Sequence, residues 1–355
     1  MNDSCVCGTA DTLMYDGSYM KIQDLKKNDT IYGVHKDGCY TKFTPSKIIS
    51  VKKVNCPAYE ITLHNETNII CSKDTRWATN RGHKYVAGDT TGTGRRPFIT
   101  ISNNLLGFNY SAISKVIEND DYMMGYLSGV IRGDGSIGHY DYSGNRGRHI
   151  DEQHCFRLAL KYEPITNRVK TYLEQFNIST NTFGFPMIDR KTKEPIIVKA
   201  IRTNRKTNIS AIESVIQFKD NLDFLKGFLA GIYDAEGTSD LLIKRIFNAD
   251  DAIMGYIAKA LDSLGIPYTW DKPIHTKNTV VKVIRLLDGI SSTIKFFNST
   301  NPLKSRYACL DGIVLKNTHP DSLKIKSIRY NGSCELYAIK TSTSSLIVNG
   351  AVCIL

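Results

Sequence analysis

Several features are missing from this sequence. It contains no run of about 18 or more apolar residues, and Met1 leads straight into Asn2, Asp3 and Ser4 with no basic-then-apolar segment, so neither a membrane-spanning helix nor a secretory signal is legible. An intracellular, cytoplasmic protein is expected. No long Pro-, Ser- or Gly-rich tract interrupts a chain that is 41% apolar and 23% charged, which excludes wholesale disorder. The nine cysteines are scattered and odd in number, and no paired CxxC spacing marks a zinc site. Reduced thiols are expected, Cys5-Val6-Cys7 included, because no second ligand pair stands near it.

Positive charge, by contrast, is in excess. Forty-six Lys and Arg against 35 Asp and Glu leave a net charge of +11, and a pI near 9.1 suits a polyanionic partner whose counterions basic side chains release. With 355 residues, the chain is longer than one hydrophobic core usually serves, so two or more domains are predicted.

One segment occurs twice. Residues 121–136, DYMMGYLSGVIRGDGS, align without a gap on residues 223–238, DFLKGFLAGIYDAEGT, and a duplicated supersecondary unit is the natural explanation. Each copy reads as a helix entered at an Asp cap (Asp121, Asp223), apolar at Tyr122, Tyr126, Leu127 and Val130 or at Phe224, Phe228, Leu229 and Ile232, and closed by Gly135 or Gly237. Within them Gly125 and Gly129, like Gly227 and Gly231, stand four apart on one helical face. Interior glycine costs roughly 1 kcal/mol relative to alanine, and close approach of two helix backbones would justify that cost. Packed glycine face to glycine face, the copies bring Asp134 and Glu236 side by side at their last turns. Two carboxylates at the negative ends of helix dipoles repel. A divalent cation relieves both penalties, and hard oxygen ligands on a basic chain point to Mg²⁺, which takes one or two carboxylates plus phosphate oxygens and waters.

The segments LSGVIRGDG (127–135) and LAGIYDAEG (229–237) resemble the two motifs of the LAGLIDADG, or dodecapeptide, homing endonucleases. That resemblance implies an α+β fold of two pseudo-symmetric αββαββα halves whose four-stranded sheets saddle the DNA major groove. It also implies hydrolysis of one phosphodiester per strand, with Asp134 and Glu236 as catalytic acids and metal ligands and with Gly133 and Ala235 in the same Mg²⁺ site. The surrounding pattern is consistent: strand-like 153–161 and 195–202 alternate with helical 164–176 and 208–218, and strand-like 240–247 and 279–286 alternate with helical 250–264 and 289–298. Lys219 and Lys304 follow the last helix of each half, where the resemblance implies a lysine that polarises the phosphate. Base and backbone contacts to double-stranded DNA are expected from the basic stretches that hold Arg146, Arg148, Arg190, Lys193, Arg202, Arg205, Lys206, Lys277, Lys282 and Arg285. Since the halves diverge outside their motifs, a monomer acting on a long asymmetric site is expected.

Residues 5–17, CVCGTADTLMYDG, and the short strand-and-turn rhythm after them resemble the start of an intein or Hint domain. In that family the residue matched by Cys5 attacks the preceding carbonyl. Splicing also needs a Thr-x-x-His and a final His-Asn. The chain has Ser72-x-x-Thr75 in the first place and ends Ile354-Leu355; a hydroxyl is no general acid near neutral pH, and apolar side chains cannot cyclise. Residues 1–110 and 310–355 therefore read as one all-β Hint-like domain that has lost splicing, with the endonuclease at 111–309 (halves about 119–219 and 220–309) inserted between them. Met1, four residues before Cys5, reads as an independent start. The glycine-rich excursion at 92–94, with Arg81, His83, Lys84, Arg95 and Arg96, reads equally as a solvated loop or a phosphate-gripping arm. Expected overall is a Mg²⁺-dependent, site-specific homing endonuclease making a double-strand break. The alternatives are a maturase-like DNA- or RNA-binding module without cleavage and residual autoprocessing at Cys5.

Overall fold

The computed structural model describes residues 4–87, 97–110, 116–141, 152–189, 192–238, 243–276, 279–287, 289–304, 310–315 and 323–355. Arg95, Arg96, Arg146, Arg148, Arg190, Lys277 and Cys309 lie outside them. The chain divides into two compact units, one formed by Met1–Ile113 with Tyr307–Leu355, the other by Ser114–Arg306. Helices and strands are both present, and the whole is rich in strands.

The first unit begins with β1 (Cys5–Cys7), β2 (Asp11–Leu13), β3 (Tyr19–Lys21), β4 (Thr30–Asp37), β5 (Tyr40–Leu63), β6 (Asn68–Ser72), β7 (Arg76–Thr79) and β8 (Gly82–Tyr85). In the second unit follow α1 (Asp120–Asp134), β9 (Gly135–Asp141), β10 (Glu152–Ala159), α2 (Glu163–Gln175), β11 (Asn181–Ile188), β12 (Pro195–Thr203) and α3 (Lys206–Val215). The order then recurs with α4 (Leu222–Glu236), β13 (Arg245–Asn248), α5 (Asp251–Ser263), β14 (Tyr268–Trp270), β15 (Ile274–His275), β16 (Val280–Leu286) and α6 (Gly289–Thr300). Finally β17 (Ile325–Thr341), β18 (Ser345–Val348) and β19 (Ala351–Ile354) return to the first unit.

In the second unit each half carries an antiparallel sheet, ordered β11-β12-β10-β9 in one and β13-β16-β14 in the other, with β15 also on β16. Helix spacing explains the cores. Tyr122, Leu127 and Val130 of α1 pack with Phe156, Leu158, Val169, Leu173, Ile201 and Ile209, while Phe224, Leu229 and Ile232 of α4 pack with Ile246, Ile257, Leu261, Ile284 and Phe296. Four strands escape the sequence reading, β9, β11 and the short β14 and β15. β9 follows α1 without a turn, and β11 contains Gly184 and Pro186, which speak against a strand; proline is tolerated here because β11 lies at the sheet edge. In the second half β13 starts at Arg245, inside the predicted 240–247, and only a Gly237–Ile246 bridge precedes it among the described residues.

The first unit is built from strands around a single short 3₁₀ turn, Ile22–Asp24, among the described residues. One sheet runs β17-β1-β6-β5-β4 and the other β3-β2-β18-β19-β7-β8. Each end of the chain thus enters both sheets: β1 pairs with β17, and β2 with β18. Val6, Ile61, Cys71, Trp77, Leu346 and Val348 lie in the common core. No disulfide forms among the described cysteines. No helix of the described residues is long and apolar enough to cross a membrane.

Candidate active site

Helices α1 and α4 are entered through equivalent asparagines. The Asn119 side chain accepts the Tyr122 N–H at 3.0 Å, and that of Asn221 accepts the Phe224 N–H at 2.9 Å. The caps therefore sit two residues before the predicted Asp121 and Asp223, which fall in the acidic first turns instead. Asn119 also donates to Asp223 at 2.8 Å, tying the two helix starts together.

The glycine faces meet. A Cβ on Gly125 would lie 2.1 Å from the Phe224 carbonyl oxygen, one on Gly227 2.0 Å from that of Tyr122, and one on Gly231 2.1 Å from that of Tyr126. Real Cβ atoms cannot approach so closely, so only glycine permits this backbone contact. At the far end a Cβ on Gly133 would come within 2.6 Å of the Ala235 Cβ and 3.2 Å of Glu236 Cγ. The helices therefore run parallel and finish together, at Asp134 and Glu236. Gly135 and Gly237 both have extended backbones (φ −79°), so each chain leaves its helix directly into extended structure.

Lys304 reaches this end from the segment after α6. Its ammonium donates to the Ala235 carbonyl at 3.2 Å and lies in the field of Asp134, Asp234 and Glu236. Burial pulls the lysine below its ordinary value of 10.5, and the three acids oppose that shift without cancelling it. Asp234 holds the segment in place. Oδ1 accepts the Lys304 N–H at 2.6 Å, and Oδ2 accepts the Leu303 N–H at 2.9 Å and the Tyr126 hydroxyl at 2.6 Å. Burial raises the Asp234 carboxyl above its usual range, against the lowering effect of these donors.

Lys219 is elsewhere. Its ammonium pairs with Asp121 at 3.1 Å and touches Met124, in the first turns of α1. Thirteen residues separate Asp121 from Asp134, a rise of roughly 20 Å along the helix, so the expected pairing of Lys219 with the acids does not occur. The chain runs the wrong way: the link into α4 must climb back to the start of the helix pair.

The donor set at the helix ends matches what a divalent cation requires. Asp134 and Glu236 supply hard oxygens, and the chain's own cation, Lys304, faces both. No group of three or more His, Cys, Asp or Glu suited to a metal assembles among the described residues. A pair of carboxylates suits a hard divalent cation that completes its shell with waters and phosphate oxygens.

Of the predicted DNA contacts, Lys193, Arg202 and Arg205 are exposed. Arg202 and Arg205 line a cleft of about 390 Å³ with Ser179, Asn181, Thr203 and Asn204. Lys206 pairs with Glu152 at 2.8 Å, Lys282 with Asp251, and Arg285 with Asp271 at 2.8 Å.

In the first unit Cys5 is buried beside Ser72 and Thr75. Its N–H is directed at both hydroxyls, each at 3.2 Å, while the Thr75 hydroxyl donates to the Cys5 carbonyl at 2.9 Å. Ile354 pairs in register with Arg76, whose guanidinium donates to the Leu355 carbonyl at 3.3 Å. The five positions read from the sequence as degenerate splicing residues, Cys5, Ser72, Thr75, Ile354 and Leu355, thus lie on or beside β1, β6, β7 and β19.

No family model matches the chain. Over 195 residues it is 26% identical to Homing endonuclease I-DmoI of Desulfurococcus mucosus, covering 52% of this chain and 93% of that protein. A solved structure of I-DmoI in complex with DNA and Mn is matched at 21% identity and a TM-score of 0.41, over 51% of this chain and 97% of that one. The N-terminal LAGLIDADG domain of DUF199/WhiA is matched at 13% identity and a TM-score of 0.34, over 53% and 86%. Half of the chain is thus similar in sequence to a homing endonuclease.

Proposed function

We propose that the chain is a site-specific, divalent-metal-dependent DNA endonuclease that makes a double-strand break in a long asymmetric target, working as a monomer. The observation that carries this reading is the glycine-faced contact of α1 and α4, which ends Asp134 and Glu236 together under the Lys304 ammonium. The similarity to a homing endonuclease and the net charge of +11 support it.

In this reading Asp134 and Glu236, with the backbone at Gly133 and Ala235, would hold Mg²⁺. A bound divalent cation lowers the pKa of an attacking water and stabilises the leaving oxygen. Lys304 donates to a non-bridging phosphate oxygen as negative charge grows there. Asp234 acts through Lys304, fixing the backbone from which that side chain extends. Glu236, one methylene longer than Asp134, makes the two half-reactions unequal.

The first unit is read as a Hint-like domain that no longer splices. Its Cys5 amide faces two hydroxyls, Ser72 and Thr75, and neither can deliver a proton near neutral pH.

The test is incubation of the full chain with a genomic or randomised DNA library in Mg²⁺, followed by sequencing of new ends. Recurrent ends that vanish with EDTA and with Asp134→Asn are expected. Identical end profiles for wild type and Asp134→Asn would sink the proposal, and binding without cutting, indifferent to Mg²⁺, would favour the maturase-like reading.

A further inference from the structure

The first sheet of the second unit exposes two arginines on one face. Arg157 of β10 stands directly opposite Arg202 of β12. Each guanidinium lies over a ring of edge strand β11: Arg202 is 4.7 Å from the Phe183 centroid, and Arg157 is 4.6 Å from that of Phe185. Both are exposed, and among the described residues neither has a carboxylate partner. Like charges placed opposite each other across strands repel. Stacking holds each guanidinium flat while leaving its N–H donors uncommitted.

The second sheet has an arginine pair at the corresponding place, Arg245 of β13 opposite Arg285 of β16. The registers also correspond. In the first sheet Asn181 faces Arg202, and Phe183, two residues on, faces Ala200. In the second Thr269 faces Arg285, and Asp271, two residues on, donates its N–H to the Val283 carbonyl. Asp271 thus occupies the position of Phe183. Its carboxylate accepts Nε of Arg245 at 2.7 Å and Nε of Arg285 at 2.8 Å, and both arginines hold it below the usual carboxyl range. One position, aromatic in the first half and acidic in the second, leaves one pair charged and open and ties the other to a shared counterion.

We infer that Arg157 and Arg202 are specificity-determining residues that read guanine edges in the DNA major groove, and that the target half under this sheet is read more stringently there than the half under the Arg245–Arg285 pair. The inference rests on the endonuclease reading above. A guanidinium fork matches O6 and N7 of guanine, whereas lysine keeps the charge and loses the fork.

The test compares wild type with Arg157→Lys, Arg202→Lys and Arg285→Lys on one randomised double-stranded library, selected in parallel by binding in EDTA and by cleavage in Mg²⁺. Unchanged melting curves certify folding. Arg157→Lys and Arg202→Lys are each expected to lose about tenfold or more of the guanine preference at one target position while total binding and its salt dependence hold; Arg285→Lys is expected to change preferences less. Profiles of both first-sheet variants that match wild type would overturn the inference. Guanine enrichment in the binding arm without cleavage by any form would instead overturn the nuclease reading and leave the assignment of these arginines standing.

Discussion

The carboxylate of Asp234 accepts the Lys304 backbone N–H at 2.6 Å, so a residue buried in α4 fixes the segment whose ammonium faces Asp134 and Glu236. Removing that carboxylate leaves three donors without their acceptor: the N–H groups of Leu303 and Lys304 and the Tyr126 hydroxyl. Asp234→Ala is expected to destabilise the second unit by about 3 kcal/mol, read as a lowered melting transition. DNA cutting should fall as far as it does in Lys304→Ala. Cutting at the wild-type rate in a folded Asp234→Ala protein would show that the lysine is positioned by other means.

Lys304 and Lys219 are separated by their placement. Lys304→Ala is expected to lower the cutting rate about 100-fold, the scale of one lost charged contact in a transition state. Lys219→Ala removes an exposed pair with Asp121 and should stay within about twofold of wild type. Single-turnover cleavage of one target by both variants checks the contrast.

The buried groups give opposite pH signatures. Asp234 has a folded value above its ordinary 3.8, so the native state holds that proton more tightly. Its contribution is full below the ordinary value and is lost as pH rises through the raised one. Melting temperatures of wild type relative to Asp234→Asn should therefore decline as pH climbs from about 4.

Lys304 has a folded value below 10.5, so the native state holds its proton less tightly, and the stability penalty of the buried charge fades as pH rises toward that ordinary value. For cutting, the charged form is the useful one. The rate should drop on the alkaline side before the usual lysine range is reached, and Lys304→Met should lack that limb.

Gly231→Ala tests the helix contact. The new Cβ would sit 2.1 Å from the Tyr126 carbonyl oxygen, a clash with backbone that cannot rotate away. A loss of about 3 kcal/mol is expected, or roughly 6–12 °C in the melting of a unit of this size. Gly255→Ala, whose Cβ would meet nothing within 4 Å, is the control and should be neutral or slightly stabilising.

The helix pair was the most legible part of the sequence because its signal is local and doubled: an ungapped repeat with glycines at helical spacing. What escaped was set by distant partners. Asp234 reads as an ordinary residue of the motif, since its acceptor role depends on N–H groups 69 and 70 positions away. Lys219 and Lys304 look alike in sequence, and only the path of the following chain separates them. The caps were misplaced by two residues because Asn119 and Asp121 are both good N-cap types. β11 was missed because its proline and glycine count against a strand except at an edge, and sequence does not reveal edges. The correspondence of Phe183 and Asp271 depends on strand register and had no local sign.

Because β1 needs β17 and β2 needs β18, the first unit cannot close its sheets until residues near 350 have been made, although its own chain starts first. Strand pairing over more than 300 residues is slow to find. The second unit has all its strands within Ser114–Arg306 and can fold while the ribosome is still at work. On a growing chain the order of completion is therefore inverted: the inserted unit matures early, and the unit that surrounds it in sequence waits, the β1 and β5 edges that β17 will join exposed, for the last strands to arrive.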